Sequence, residues 1–293
     1  MQAYHCNSAK KDLLKMNAHD YASKANGSFA LPDACFKVKS LMEDQSSTVE
    51  DFANVIGIDP SMTSRLLKIA NSSIYNFPGE ISTISRAISI IGTAAIYNMM
   101  LVDVAASAFK HFANQAINLK RFWKISVFTA AAAKNLAIKA NIADIERLFV
   151  AGLLANFGEL LVAKVEATIA KKIDRYEGKK LPWQVQKHIL GFTYMDVSAE
   201  LLRIWQIPEK IILPIRHFDK AQTIQINKDI SVLYLASCLA LIECFPHRFT
   251  FEALIDHKLL KRLAMNEDDL IFARDVAQIE ADEILTMMNA NMF

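Results

Sequence analysis

Fifteen residues, from Val150 to Lys164, constrain this chain more than any other stretch: Val-Ala-Gly-Leu-Leu-Ala-Asn-Phe-Gly-Glu-Leu-Leu-Val-Ala-Lys. Apolar side chains fall on every side of the helix this run would form, so the helix is buried all round. In its middle, Ala155-Asn156-Phe157-Gly158 sets an amide and a glycine among aliphatic residues and predicts a kink. A buried, kinked helix needs other helices to surround it. The chain supplies them: Gly 8 and Pro 7 in 293 residues are low counts that favour long helices over turn-rich sheet. No segment alternates with the two-residue period of a strand, and no internal repeat is visible. The expected fold class is all-α, a two-lobed helical bundle.

Hydrophobic residues make up 53% and charged residues 22%, the balance of a globular chain. The formal charge of +2 is too even to imply a nucleic-acid or membrane partner. Cys6, Cys35, Cys238 and Cys244 lack C-x-x-C spacing and read as reduced thiols. The first residues lack the apolar core of a signal peptide. Between Ala87 and Phe109 the only formal charge is Asp103, and the length would cross a bilayer. Ser89, Gly92, Thr93, Asn98 and Ser107 interrupt it, so it is expected to be a helix pair broken at Gly92. These features together predict a soluble, cytoplasmic protein with no membrane partner.

Residues 1–28 read as an N-terminal helix and linker, with Leu13, Leu14 and Met16 on a helix and Ser23–Ser28 as turn or linker. Capping boxes are offered at Ser47/Glu50 and, one residue later, at Thr48/Asp51. Gly57 falls at a C-cap, and Asp59-Pro60 places an N-cap acid before a first-turn proline. The helix pair from Val49 to Ala70 has the outline of a helix-turn-helix. Only Arg65 and Lys68 are basic on its second helix, whereas phosphate contacts need several cations, so two packed helices are expected and no nucleic acid. Leu119–Ala140 reads as a long alanine-rich helix, Asp144 as the cap of the helix entering the kink, and Ile230–Phe245 as a core helix. The tail from Thr250 reads as two or three short helices, with Asn266–Asp269 as a capped, solvated start.

Motifs of catalysis are missing: there is no glycine-rich phosphate loop and no H-E-x-x-H pair. The seven histidines (His5, His19, His111, His188, His217, His247 and His257) do not pair at ligand spacing on any helix.

Several segments carry a resemblance. Ile58–Ser72, Ile84–Gly92, Phe122-Trp123, Ala151–Leu154 and Trp205–Pro208 closely resemble the HDOD family, over about Phe29 to Ala221. That family is a degenerate branch of the HD superfamily of metal-dependent phosphohydrolases, found mostly in bacteria. The resemblance implies a signalling or regulatory domain without hydrolase activity. It divides the chain into an HDOD domain over 29–225, with an N-terminal lobe at about 29–112 and an HD-like lobe from about 119, and C-terminal helices over 226–293 packing on that lobe.

Carried over residue by residue, the superfamily's metal-ligand positions fall on Ile125, Ala155, Asn156, Tyr194, His217 and Ser237, with Glu159 where a lysine often follows the kink. Only His217 keeps a ligand-type side chain. A divalent site needs several converging N or O donors and an open position for water. No metal, no other cofactor and no catalytic residue is therefore expected. The expected partners are other signalling proteins, with Asn71, Ser72 and Tyr75 as candidate recognition residues, although Asn71 and Ser72 also suit a plain helix cap. Asn156 and His217 are candidates for a remnant pocket. The alternative is a metal-dependent phosphohydrolase acting on a phosphate ester or nucleotide, with a new ligand set drawn from His217 and Asp219.

Overall fold

Helices account for all the regular structure in this computed structural model, which describes residues 16–71, 79–221 and 227–292, with side chains through residue 286. The all-α expectation holds: no strand occurs among the described residues. The chain forms two compact units. Ala30–Ala108 makes the smaller, and the described residues up to Phe29 and from Phe109 onward make the larger.

Helix α1 (Ala18–Asn26) belongs to the larger unit. Asn17 and Asp20 close a reciprocal capping box that starts it, and it extends through Asn26, into the Ser23–Ser28 stretch expected as turn or linker. Tyr21, Ala22 and Ala25 give that helix a buried face.

In the smaller unit, α2 (Asp33–Glu43), α3 (Val49–Ile56) and α4 (Pro60–Ala70) are followed by α5 (Ile84–Ile91). Of the two capping boxes on offer, the chain uses Thr48 and Asp51, whose carboxylate accepts the Thr48 N–H at 2.8 Å. Asp59 caps α4 by accepting from the Ser61 N–H at 2.8 Å, ahead of Pro60. Apolar positions four apart (Phe52 and Ile56, Met62 and Leu66) are buried, as are Ala87 and Ile88 on α5, which packs on both α3 and α4. The two helices of Val49–Ala70 thus share α5 as their packing partner, and Arg65 on the second pairs with Asp103.

Asn71 ends α4 and ties off the segment that follows. Its Nδ2 donates to the Leu67 and Ile81 carbonyls, each at 2.8 Å, and its Oδ1 accepts the Ile81 N–H at 2.8 Å. Those bonds commit its amide to the unit's own backbone. Ser72 and Tyr75 lie outside the described residues.

Gly92 has φ +87°, a conformation open to glycine, and there the chain turns by 103° into α6 (Thr93–Phe112). The apolar stretch from Ala87 to Phe109 is therefore a broken pair.

The larger unit is built around α7 (Leu119–Lys139). Ala130–Ala133 on this helix are all fully buried, and their small side chains let neighbouring helices approach closely. Helix α8 (Ile145–Leu154) lies against it so tightly that a Cβ on Gly152 would stand 2.7 Å from the Ala130 Cα. After the kink come α9 (Phe157–Val165), α10 (Ala167–Asp174), α11 (Pro182–Leu190), α12 (Tyr194–Ile204) and α13 (Glu209–Arg216). A short 3₁₀ turn, Phe218–Lys220, precedes α14 (Lys228–Cys244). Every residue of α14 from Ile230 to Leu241 is buried, as a core helix requires.

Asp144 was expected to cap α8. It sits at the N-cap position in the left-handed region and makes no cap bond; its carboxylate accepts from Lys210 Nζ at 2.8 Å. A nearby ammonium outcompetes the backbone N–H for that carboxylate. Past α15 (Phe251–Leu254) and α16 (His257–Arg262), the tail holds one long helix, α17 (Glu267–Met292), and not short pieces throughout. Leu270, Ala273, Ala277 and Ala281 form a continuous buried stripe on it, and α17 packs along α7, where Lys134 and Lys139 pair with Glu280 and Asp269.

The run Ile145–Val165 is long and apolar enough to cross a membrane, yet most of it is buried within the protein. It serves as a core element.

Candidate functional site

The kink between α8 and α9 is held open by one hydroxyl. Breaking a helix frees backbone groups that must find partners when buried. Ser198, fully buried on α12, donates from Oγ to the Ala155 carbonyl at 2.7 Å and accepts the Gly158 N–H at 2.8 Å. Gly158 is needed for this approach, since a Cβ there would stand 2.0 Å from the Tyr194 carbonyl oxygen. The kink thereby turns the Asn156 side chain toward a cavity of about 120 Å³ within the larger unit.

Ile125, Asn156, Tyr194 and Ser237 all line this cavity. They come from α7, the kink, α12 and α14, so four positions scattered over more than a hundred residues converge on one space. Ala155 and His217 do not line it. Ala155 offers only its carbonyl to Ser198, and His217 caps the end of α13 while its neighbour Phe218 faces the cavity. His217 Nδ1 is buried without a hydrogen-bond partner. Burial and the flanking Lys220 and Arg216 hold the ring below its ordinary pKa, so it is neutral near pH 7. Asp219, the other residue of the alternative ligand set, is paired with Lys187.

Glu159 apart, the charged groups of the site escaped the sequence reading. Arg121, on α7, pairs with Asp174 at the end of α10 and lies 3.8 Å from Glu159. Burial raises the Glu159 carboxyl to about 7, against the opposing pull of Arg121. The Tyr194 phenol is driven well above its ordinary range by burial and by Glu159, and stays protonated. Arg248 donates to the Tyr176 and Lys180 carbonyls at 2.9 and 3.0 Å. One signal was available: Arg121, Ile125 and Thr129 are spaced i, i+4, i+8 and share a helix face. Arg248 and Asp174 carry no such local mark.

The sequence profile of the HDOD domain matches residues 29–221, about two thirds of the chain. The chain belongs to the HDOD family. No curated protein sequence matches it. Solved structures share the HDOD fold. A protein provisionally assigned to signal transduction, from Marinobacter aquaeolei VT8, is 20% identical with a TM-score of 0.67, covering 94% of this chain and 66% of that one. An HDOD domain protein with unknown function from Geobacter sulfurreducens is 20% identical (TM-score 0.61; 90% and 95% covered). A protein provisionally named a phosphohydrolase, from Shewanella amazonensis SB2B, is 19% identical (TM-score 0.63; 92% and 96% covered). This chain thus spans about two thirds of the Marinobacter protein and nearly all of the other two.

The superfamily's divalent metal does not fit these side chains. Ile125 has no donor atom, Tyr194 is a protonated phenol, and the Ser237 hydroxyl is donated to the Leu233 carbonyl of its own helix at 2.9 Å. Asn156 offers one neutral oxygen. Among the described residues no group of three or more His, Cys, Asp or Glu side chains is placed to hold a metal ion. The polar and charged groups of the cavity can hydrogen-bond and balance charge, which suits binding.

Proposed function

We propose that this HDOD protein is a bacterial, cytoplasmic regulatory module that works by contact with other signalling proteins and does not hydrolyse phosphate esters. One observation carries the reading: four of the six positions implied as metal ligands line a single cavity, and there they present Ile125, Asn156, Tyr194 and Ser237, while His217, which keeps a ligand-type side chain, stands outside it. The scaffold of a hydrolase site is kept while the donors that would lower the pKa of a bound water are replaced.

The test is elemental analysis of the purified protein, followed by titration with manganese, iron and zinc and an assay on a phosphodiester. The expected result is no stoichiometric metal and no turnover above the rate of buffer with each ion. Metal-dependent turnover that chelation abolishes and Ile125→Trp removes would overturn the reading.

A further inference from the structure

The cavity has two chemically different ends. On α7 it is lined by Arg121, Ile125 and Thr129; on α14 by Ser237 and Leu241, with Phe245 just past the helix end. Arg121 lies over the Phe245 ring at 6.0 Å and Lys124 pairs with Glu243 at 3.2 Å, so the two helices run antiparallel. Eight residues of helix, about 12 Å, separate this guanidinium end from the end where Thr129 and Ser237 fall together.

The hydroxyl end is buried. Thr129 is 0% exposed and its Oγ1 has no hydrogen-bond partner, whereas Ser237 bonds the carbonyl four residues back. A buried, unpaired hydroxyl is destabilising unless a bound molecule completes it. The middle is apolar, with Ile125, Leu241, Trp183 and Phe218 facing in. The Arg121 side chain is 26% exposed, so solvent enters at the guanidinium end. There two guanidinium groups, Arg121 and Arg248, face Asp174 and Glu159, and no carboxylate among the described residues pairs with Arg248.

We propose that this cavity binds a small planar organic anion. Its aromatic ring lies between Ile125, Trp183 and Leu241, its carboxylate meets the Arg121–Arg248 end, and a polar ring substituent reaches the Thr129 hydroxyl. The size agrees: an apolar cavity of roughly 150 Å³ holds a benzene ring, and this one is about 120 Å³ with a polar mouth for the charged group. Glu159 supports the charge assignment, because a carboxyl that titrates near 7 can take up a proton and leave the site more positive when an anion arrives. The proposal rests on reading the cavity as a site without the superfamily's metal.

Isothermal titration of the full chain with 4-hydroxybenzoate, benzoate and phenol tests it. The hydroxylated acid is expected to bind more tightly than either probe that lacks one group. Ile125→Phe, which fills the cavity, should abolish binding. Thr129→Val, which keeps the side-chain shape, should weaken 4-hydroxybenzoate about tenfold and leave benzoate unchanged. No heat from 4-hydroxybenzoate at millimolar concentration, equal affinity for all three probes, or binding that survives Ile125→Phe would each overturn the proposal. Should Ile125→Phe fail to fold, the Thr129→Val selectivity decides alone, because that change adds no volume. Phosphodiester turnover by the wild-type protein would sink the functional reading and leave the binding result standing; silence from all three probes would do the reverse.

Discussion

Two buried hydroxyls of the larger unit do opposite things, and the contrast shows where the site's energetics lie. Ser198 satisfies two backbone groups freed by the kink, while Thr129 satisfies none. Ser198→Ala strands the Ala155 carbonyl and the Gly158 N–H in a region without solvent. The expected loss is about 2–4 kcal/mol, since each stranded group costs about 1–3 kcal/mol. Urea unfolding measures it, with the slope expected to stay at the wild-type value. Asn71→Ala removes three backbone bonds at a more exposed place and should cost about 1–2 kcal/mol. Unchanged stability would return Asn71 to the candidates for partner recognition. The kink itself was legible from the sequence, because an amide and a glycine cannot pass unnoticed in an aliphatic run. Ser198 was not legible: it lies forty residues beyond the backbone it serves, and nothing local marks it.

At the scale of elements, small residues decide where helices meet. Gly152 and Gly158 bring α8 onto α7 and α9 onto α12, and in both places the nearest atoms to an added Cβ belong to backbone, which cannot swing aside. Gly158→Ala would force α9 and α12 apart, with an expected cost of about 3 kcal/mol or more despite alanine's better helix propensity. A melting temperature equal to wild type would show that the two helices can separate freely. Helices α3, α4, α7 and α14 could be read in advance because their caps and apolar periods agree. Helix α17 was divided in the sequence reading because its exposed acids obscured a stripe of alanines, which carry a weak hydrophobic signal. Helix α1 runs into Ser23–Ser28, read as turn or linker, because the reciprocal bonds of Asn17 and Asp20 that start it are seen only in the structure.

For the molecule as a whole, keeping a titrating carboxyl inside the larger unit makes stability depend on pH in a definite direction. Glu159 is raised from 4.5 to about 7, so between those values the folded chain holds a proton that the unfolded chain has released. Its contribution to stability is therefore complete below about pH 4.5 and is lost as pH rises through about 7. The charged and titratable groups around it are Arg121 on α7, Asp174 on α10 and Tyr194 on α12. Glu159→Gln keeps the size and removes the proton, so its stability should be flat across this window where wild type falls by on the order of 3 kcal/mol. Parallel pH profiles for the two proteins would mean that Arg121 neutralises Glu159 fully and that its burial carries no cost. An enzyme that used a metal here would gain from an ionised carboxylate beside it. A carboxyl that resists ionisation next to a guanidinium instead suits a cavity whose charge adjusts to what enters it, so the pH profile of the whole fold and the binding of a small anion report on the same proton.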